Sequence, residues 1–303
     1  MNRFDILISG PIYTDLIFAE VPRLPEPGEE VLCGAFELTC GGSAFITSVA
    51  LARLGAKVSV LSPIGNDLLS DMIVGALRKE GVETDGMHKM DRSYRNVSAA
   101  VNWSGDRAFL TYEDQLDMSA YCGHLLQAVE QTESRFVLLQ PRPAYLPVIE
   151  RARSAGKRIV FDLGWDEAWL RDPRLKDILR LGHVYTPNLR EALAITGAES
   201  AEAALRELSG LIDTVIVKLG ASGALVAENG QARLVPGFPA RVVDATGAGD
   251  NFLAGFLAAS MRGWPLERAV RLGHFCGASS VQGLGGTAAS TTWERVIEEP
   301  EFQ

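Results

Sequence analysis

The sequence predicts a three-layer α/β/α fold with a mostly parallel central sheet and a small lid of β-strands. Three observations carry that prediction. Short apolar runs (Phe136 to Gln140, Arg158 to Asp162, His183 to Thr186, Thr214 to Lys218) alternate with helix-length segments, the order produced when strands are joined by crossover helices. Earlier, Pro11 to Cys40 alternates apolar and polar residues and is broken by Pro22, Pro25 and Pro27-Gly28, which suits exposed edge strands and a turn. Finally, 303 residues of which 47% are hydrophobic can bury a large core, so one α/β domain over 1–303 with a small appendage fits better than two equal domains.

The elements follow in order. Phe4 to Gly10 lacks a basic leading region and reads as a first strand rather than a signal peptide. Ser43 to Gly55 has helical patterning with Gly55 as its C-terminal cap. Strand Val58 to Leu61 and helix Asp67 to Glu80 come next. Asn96 to Trp103 and Arg107 to Tyr112 flank Ser104-Gly105-Asp106, a hairpin signal, so the lid is expected from about 11–40 and 88–115. The parallel sheet should be covered on both faces. Phe252 to Met261 has helix length and composition, and Glu298-Glu299-Pro300-Glu301 reads as a solvated tail.

Composition excludes several classes. No apolar run approaches the ~18 residues of a membrane span, so a cytoplasmic protein without a membrane partner is expected. Cys33, Cys40, Cys122 and Cys276 have no metal-binding or C-x-x-C spacing and read as free or buried thiols. A net charge of -9 argues against nucleic acid, whose phosphates are met by clustered Lys and Arg. It does not argue against ATP, which is held by local loops. The exposed edge strands of the lid make a homodimer through the lid a reasonable arrangement.

The chemistry concentrates at Asp244-Ala245-Thr246-Gly247-Ala248-Gly249-Asp250-Asn251-Phe252. Gly247 and Gly249 allow a tight turn and close approach to a ligand, and the apolar run behind them begins a helix. A helix N-terminus has unpaired N–H donors and a positive dipole end, so it favours an anion such as a transferring phosphoryl group. Asp250 then stands where a base could take a hydroxyl proton. Other polar positions are weaker signals. Asn188 and Glu191, three apart at a helix start, share a face, and taken alone they read as a helix cap with an exposed Glu before they read as a site. Lys218 ends a strand and leads into a turn at Gly220 and Gly223, and such turns also join strands with no ligand near. Neither G-x-x-x-x-G-K-[ST] nor an early G-x-G-x-x-G is present, which removes P-loop and nicotinamide-dehydrogenase readings.

Four motifs in order make the chain resemble the ribokinase-like (PfkB-type) carbohydrate kinases. Gly41-Gly42 opens a helix that runs to Leu51-Ala52-Arg53-Leu54-Gly55; Asn188-Leu189-Arg190-Glu191 matches N-x-x-E; Lys218 to Gly223 matches K/T-x-G-x-x-G; Asp244 to Phe252 matches D-T-x-G-A-G-D, with Ala245 for Thr. The resemblance implies an ATP- and Mg²⁺-dependent kinase acting on a primary hydroxyl of a small sugar or nucleoside. Asp250 would be the base, and the Gly247, Ala248 and Gly249 amides the anion hole. Asn188, Lys218, Gly220 and Gly223 would meet the nucleotide, and Glu191 would order Mg²⁺ through water. Asp15, Gly41, Gly42 and the position of Ile46 would meet the acceptor. Gly277 to Ser290 resembles the segment that borders the adenine and, in many members, a monovalent cation; carbonyls near Gly285, with Asp244 and Thr246, are the candidates for K⁺.

Two departures stand out. The family's Asn in Gly-Gly-x-x-x-Asn is Ile46, and its Asp-x-Asn-x-Arg reads Asp162-Leu163-Gly164-Trp165-Asp166. Loss of a bidentate Arg disfavours a sugar acid. Phe45, Ile46 and Trp165 read either as core filler or as a more apolar acceptor pocket, which a nucleoside base would suit. The altered acceptor motifs also motivate a rival from another class, a catalytically silent metabolite-binding protein of the same fold.

Overall fold

The computed structural model describes residues 3–103, 106–228 and 230–303. Its centre is an eight-stranded sheet in the spatial order Gln231–Val235, Ala224–Glu228, Thr214–Lys218, Val184–Tyr185, Arg158–Phe161, Glu133–Leu139, Arg3–Ile8 and Val58–Val60. The last six strands run parallel, and the first two add an antiparallel hairpin at one edge. That hairpin is not among the expected strands, because its apolar residues are split between two short pieces around a turn.

Side chains alternate between two cores, as a sheet buried on both faces requires. Ile6 and Ile8 enter one core and Leu7 the other, and Phe136 and Leu138 alternate with Val137 and Leu139 in the same way. Each such residue contributes roughly 1.5–3 kcal/mol by leaving water. The first core is closed by helices Ser43–Arg53, Ala248–Met261 and Leu266–Ser280, the second by Met118–Gln131, Leu146–Ser154, Leu189–Thr196 and Ala201–Ser209. In Ala248–Met261 every residue from Asn251 to Ala259 is buried, so this helix is held on all sides and fixes the turn at its start.

A separate four-stranded sheet, in the order Ala35–Gly41, Tyr13–Val21, Asn96–Trp103 and Asp106–Glu113, forms the lid. Of the expected span 88–115, His88–Lys89 instead pairs with Pro63–Ile64. The Ser104-Gly105 turn of the hairpin lies outside the described residues. Register places Leu38, Leu16, Ala99 and Leu110 directly across from one another on one face, with Phe36 and Tyr112 two residues along. Phe36, Leu110 and Tyr112 on that face are more than half exposed.

The expected tail keeps Glu298, Pro300 and Glu301 exposed, as read, but it is held to the body of the protein. Phe302 is buried and stacks on Trp264, while Arg271 binds Glu301 at 2.5 Å. Charge in 298–301 masks one aromatic anchor, and tertiary contact decides. All four cysteines are free thiols, and among the described residues no helix is long and apolar enough to cross a membrane.

Candidate active site

The parallel strands end on one side of the sheet, where side chains emerge into a cleft of about 820 Å³. Gln140 and Arg142 follow the strand Glu133–Leu139, Asp162 to Asp166 follow Arg158–Phe161, and Thr186, Asn188 and Lys218 come from the next two ends. Ligands of open α/β sheets settle in such a crevice because loops there are free to vary while the strands hold them. Tyr13 and Glu113 face it from the lid, with the Tyr13 hydroxyl donating to the Glu113 carboxylate. A second cavity of about 390 Å³, lined by Phe238, Ala240, Val242, His274, Ala278 and Val281 among others, shares Asn188, Lys218 and Gly249 with the first. The two therefore meet at the start of the Ala248–Met261 helix, one polar and one largely apolar.

At that junction Gly247 takes φ +72° as the N-cap residue, and a Cβ there would fall 2.9 Å from the Gly286 Cα. Gly249 lines both cavities, and a Cβ on it would come within 3.0 Å of Lys218 Nζ. The three expected anion-hole amides are not equivalent. Ala248 N–H already donates to the Ala245 carbonyl at 3.3 Å, closing the turn, and Gly247 packs beneath against Gly286 and Ile46. Gly249 remains the member that faces both cavities. Asp250 follows at the cleft floor. Burial first, and then the like charge of Asp162, push its carboxyl up to about 7, against the opposing pull of Lys218 and the Thr47 hydroxyl. A carboxylate raised to that range by burial and a like charge is poised to exchange a proton near neutral pH.

Asn188 and Glu191 form a reciprocal capping box. Asn188 Oδ1 accepts from Glu191 N at 2.9 Å, while Glu191 accepts from Asn188 N at 2.9 Å and Nδ2 at 2.7 Å. The cap reading is thus realised, but with a buried Glu at the cleft wall rather than an exposed one. Burial raises its carboxyl, and Lys218 and Asn188 hold it back. Asn188 also bridges to Lys218 across neighbouring parallel strand ends, and Lys218 N–H donates to the Pro187 carbonyl at 2.9 Å. Sheet pairing is what joins two motifs separated by thirty positions in the chain. Gly220 and Gly223 continue from Lys218 along the apolar cavity.

Asp15 sits between Thr39 and Ser98 in the lid register, with its carboxylate against Gly41, where a Cβ would collide at 1.9 Å. Gly41 is therefore glycine because Asp15 occupies its side-chain space. Burial, then the charge of Asp244, raise the Asp15 carboxyl to about 6. Gly42 (φ +87°) opens the Ser43–Arg53 helix against the Pro11 carbonyl. The apolar-pocket expectation needs correction. Phe45 and Ile46 are 3% and 2% exposed, and Ile46 packs under Gly247 and Gly286 instead of lining the cleft. A β-branched side chain one helical turn after Ser43 points inward, so core packing claims it. Trp165 does line the cleft, with Arg190 over its ring at 4.2 Å. Arg142 enters the cleft from a neighbouring strand end and pairs with Asp166 at 2.8 Å.

Asp244, Thr246 and Gly285 do come together. Asp244 Oδ1 accepts from Thr246 N at 2.9 Å and Oγ1 at 2.7 Å, and Oδ2 accepts from Gly285 N at 2.9 Å. Asp162, Arg142, Glu113 and Tyr13 line the site without having been singled out for a role. The usable signal was Asp162, a carboxylate directly after an apolar strand; Arg142 and the lid pair have no local signature.

Two adjoining cavities at the carboxyl ends of a parallel sheet, one polar and one apolar, meet at a glycine turn beside a near-neutral carboxylate. The chain belongs to the pfkB family of carbohydrate kinases, whose family model matches residues 5–293. It is similar to a ribokinase of Haemophilus influenzae, 28% identical over 98% of both chains, and to a cytidine kinase of Thermococcus kodakarensis, 30% identical over 89% of this chain and 93% of that one. The solved structure of Arabidopsis thaliana ribokinase with ribose and ATP superposes with a TM-score of 0.82 at 22% identity, covering 98% of each chain. The fold is the ribokinase fold.

Proposed function

We propose that this chain transfers the γ-phosphoryl group of ATP to the primary hydroxyl of a pentose-containing acceptor, free sugar or nucleoside. The observation that carries the reading is Asp250, a carboxyl raised to about 7 at the glycine turn where the two cavities meet. Asp250 takes the acceptor hydroxyl proton as that oxygen attacks phosphorus. Gly249 N–H and the Lys218 ammonium face the oxygens on which charge develops, and the partial positive end of the helix adds to both. The apolar cavity suits an adenine ring, and its glycine-lined mouth lets phosphates approach the backbone. Glu191 on the cleft wall would hold a water of a Mg²⁺ brought with the nucleotide, and that ion would supply charge neutralisation for the phosphates.

The acceptor class is supported by the names of three similar relatives, a ribokinase, a cytidine kinase and a deoxyribokinase, each naming a pentose compound; others are named only as sugar kinases. Asp15, at the lid base beside Gly41, receives the sugar hydroxyls. The test is kcat/KM with ribose, 2-deoxyribose, cytidine, adenosine, fructose and 2-keto-3-deoxygluconate under one condition, with thermal shifts for the same compounds. A sixfold panel in which every shift occurs without ADP release would overturn the kinase reading in favour of a silent binding protein. A hexose or sugar acid ahead of all pentose compounds by about tenfold, or 1.4 kcal/mol, would overturn the acceptor class alone. The exposed apolar lid face of Phe36, Leu38, Leu110 and Tyr112 is covered in this reading by a second copy of the chain. Leu110→Glu should then convert a dimer into a monomer in sedimentation, and a monomeric wild type would refute that arrangement.

A further inference from the structure

Residues 300–303 reach the wall of the apolar cavity through one side chain. Arg271, on the helix Leu266–Ser280, grips Glu301 with two parallel bonds, Nε donating to Oε1 and Nη2 to Oε2, each at 2.5 Å. The third nitrogen serves another partner. Nη1 donates to the Pro236 carbonyl at 2.5 Å and to the Gly237 carbonyl at 3.3 Å, and the guanidinium carbon stands 4.0 Å from the centre of the Phe238 ring. Phe238 also meets Phe275 edge-on at 5.4 Å and Phe302 at 6.2 Å, so its ring is held between the helix and this segment. Phe302 is anchored in turn by Arg268, whose Nη2 donates to its carbonyl at 2.9 Å.

What Arg271 holds is cavity wall. Gly237 and Phe238 line the apolar cavity, and residues 236–240 lie in no helix or strand, so side chains rather than a ladder fix them. The loop is also pressed against the turn that follows Lys218. A Cβ on Gly223 (φ +112°) would fall 2.1 Å from the Val235 carbonyl oxygen and 2.9 Å from Gly237 N, and one on Gly237 would fall 2.7 Å from the Ala221 carbonyl oxygen. A shift of the loop therefore disturbs the aromatic wall and the glycine turn of the same cavity. Arg271 and Glu301 do not line that cavity, so they shape it through residues 236–238 rather than by touching a ligand. A planar guanidinium with one edge fixed on a carboxylate keeps its other edge and its face in place. Without Glu301 the side chain regains its rotamers and the loop loses a fixed support.

We propose that Arg271 and Glu301 are positioning residues for the nucleotide: their ion pair clamps the 236–238 wall of the apolar cavity and so sets the affinity for ATP without entering phosphoryl transfer. The proposal rests on the kinase reading above, which gives this cavity to adenine. Three variants of the full chain test it. Glu301→Ala frees Arg271, Glu301→Gln keeps one acceptor oxygen for it, and Trp293→Leu, which loosens the packing on Trp264 and Arg262, is the control for stability alone. Each is measured for the Kd of ADP by calorimetry, the KM of ATP, the KM of the best acceptor, kcat and melting temperature. Glu301→Ala should raise the Kd of ADP and the KM of ATP together by about five- to tenfold, with acceptor KM and kcat at saturating ATP within about twofold of wild type. Glu301→Gln should fall between the two. Trp293→Leu should lower the melting temperature at least as far as Glu301→Ala while ADP and ATP bind as in the wild type. An unchanged Kd of ADP in Glu301→Ala would overturn the proposal, and so would a Trp293→Leu protein whose Kd rises as much, because the pair would then serve stability only. A wild type that binds ADP but turns over no acceptor would sink the kinase reading while the Kd series still decides the clamp. A wild type that binds no ADP would overturn both.

Discussion

Replacing Asp250 by Asn separates what the carboxylate does for catalysis from its cost to the fold. Its carboxyl rises from an ordinary 3.8 to about 7, chiefly through burial and then through Asp162. At about 1.36 kcal/mol per unit, three units set a ceiling near 4 kcal/mol for the destabilisation caused by ionising it in place. Water in the cleft reaches the half-buried side chain and screens part of this, so a gain of about 1–2 kcal/mol is expected from an uncharged isostere at pH 8, or roughly 2–4 °C in melting temperature. The sign follows from proton counting. Below about pH 3.8 the group is neutral whether folded or unfolded, so the mutant has no electrostatic advantage. Between 3.8 and 7 the unfolded chain ionises while the folded one resists, and the advantage grows; above 7 it is constant. Turnover should move the opposite way, falling at least about a hundredfold through loss of the general base. Melting curves of both proteins from pH 4.5 to 8.5, with ADP release at each pH, provide the check. An Asn variant that is less stable than wild type at pH 8, or one with near wild-type turnover, would refute the argument that a desolvated base sits at position 250.

The remaining predictions concern neighbours of that residue. Glu191→Gln should raise the Mg²⁺ midpoint of activity about threefold or more; a melting temperature lowered with the Mg²⁺ titration unchanged would reduce Glu191 to its helix-cap bond with Asn188. Ile46→Val leaves a methylene-sized gap under Gly247 and Gly286 and should cost about 0.5–1.5 kcal/mol by urea unfolding without altering acceptor preference; a change in preference with stability intact would return Ile46 to the acceptor site. Because Asp15 is raised to about 6 and accepts on both oxygens, and most strongly, only when ionised, acceptor KM should climb as pH falls below about 6 and stay level above it. Asp15→Asn should bind weakly at every pH, and a KM independent of pH in the wild type would remove Asp15 from the acceptor site.

What the sequence settled by itself was periodic or local. Strand Thr214–Lys218 and the helix after Gly247 are each set by neighbours a few positions apart, as is the glycine turn at Asp250, so pattern and composition suffice for them. The ordered motifs carried the family for the same reason. Tertiary structure alone decided which distant pieces face one another. It set Arg142 against Asp166 and Tyr13 against Glu113, both meetings of strand ends or lid strands that leave no local trace. It buried Ile46 where the motif comparison placed an acceptor contact, because helix phase and core packing override the position of a residue in a motif. It also turned Asn251, a polar residue just ahead of an apolar run, into the link between two glycine segments. A buried amide needs partners for every hydrogen it carries, and only the folded chain determines which carbonyls are within reach.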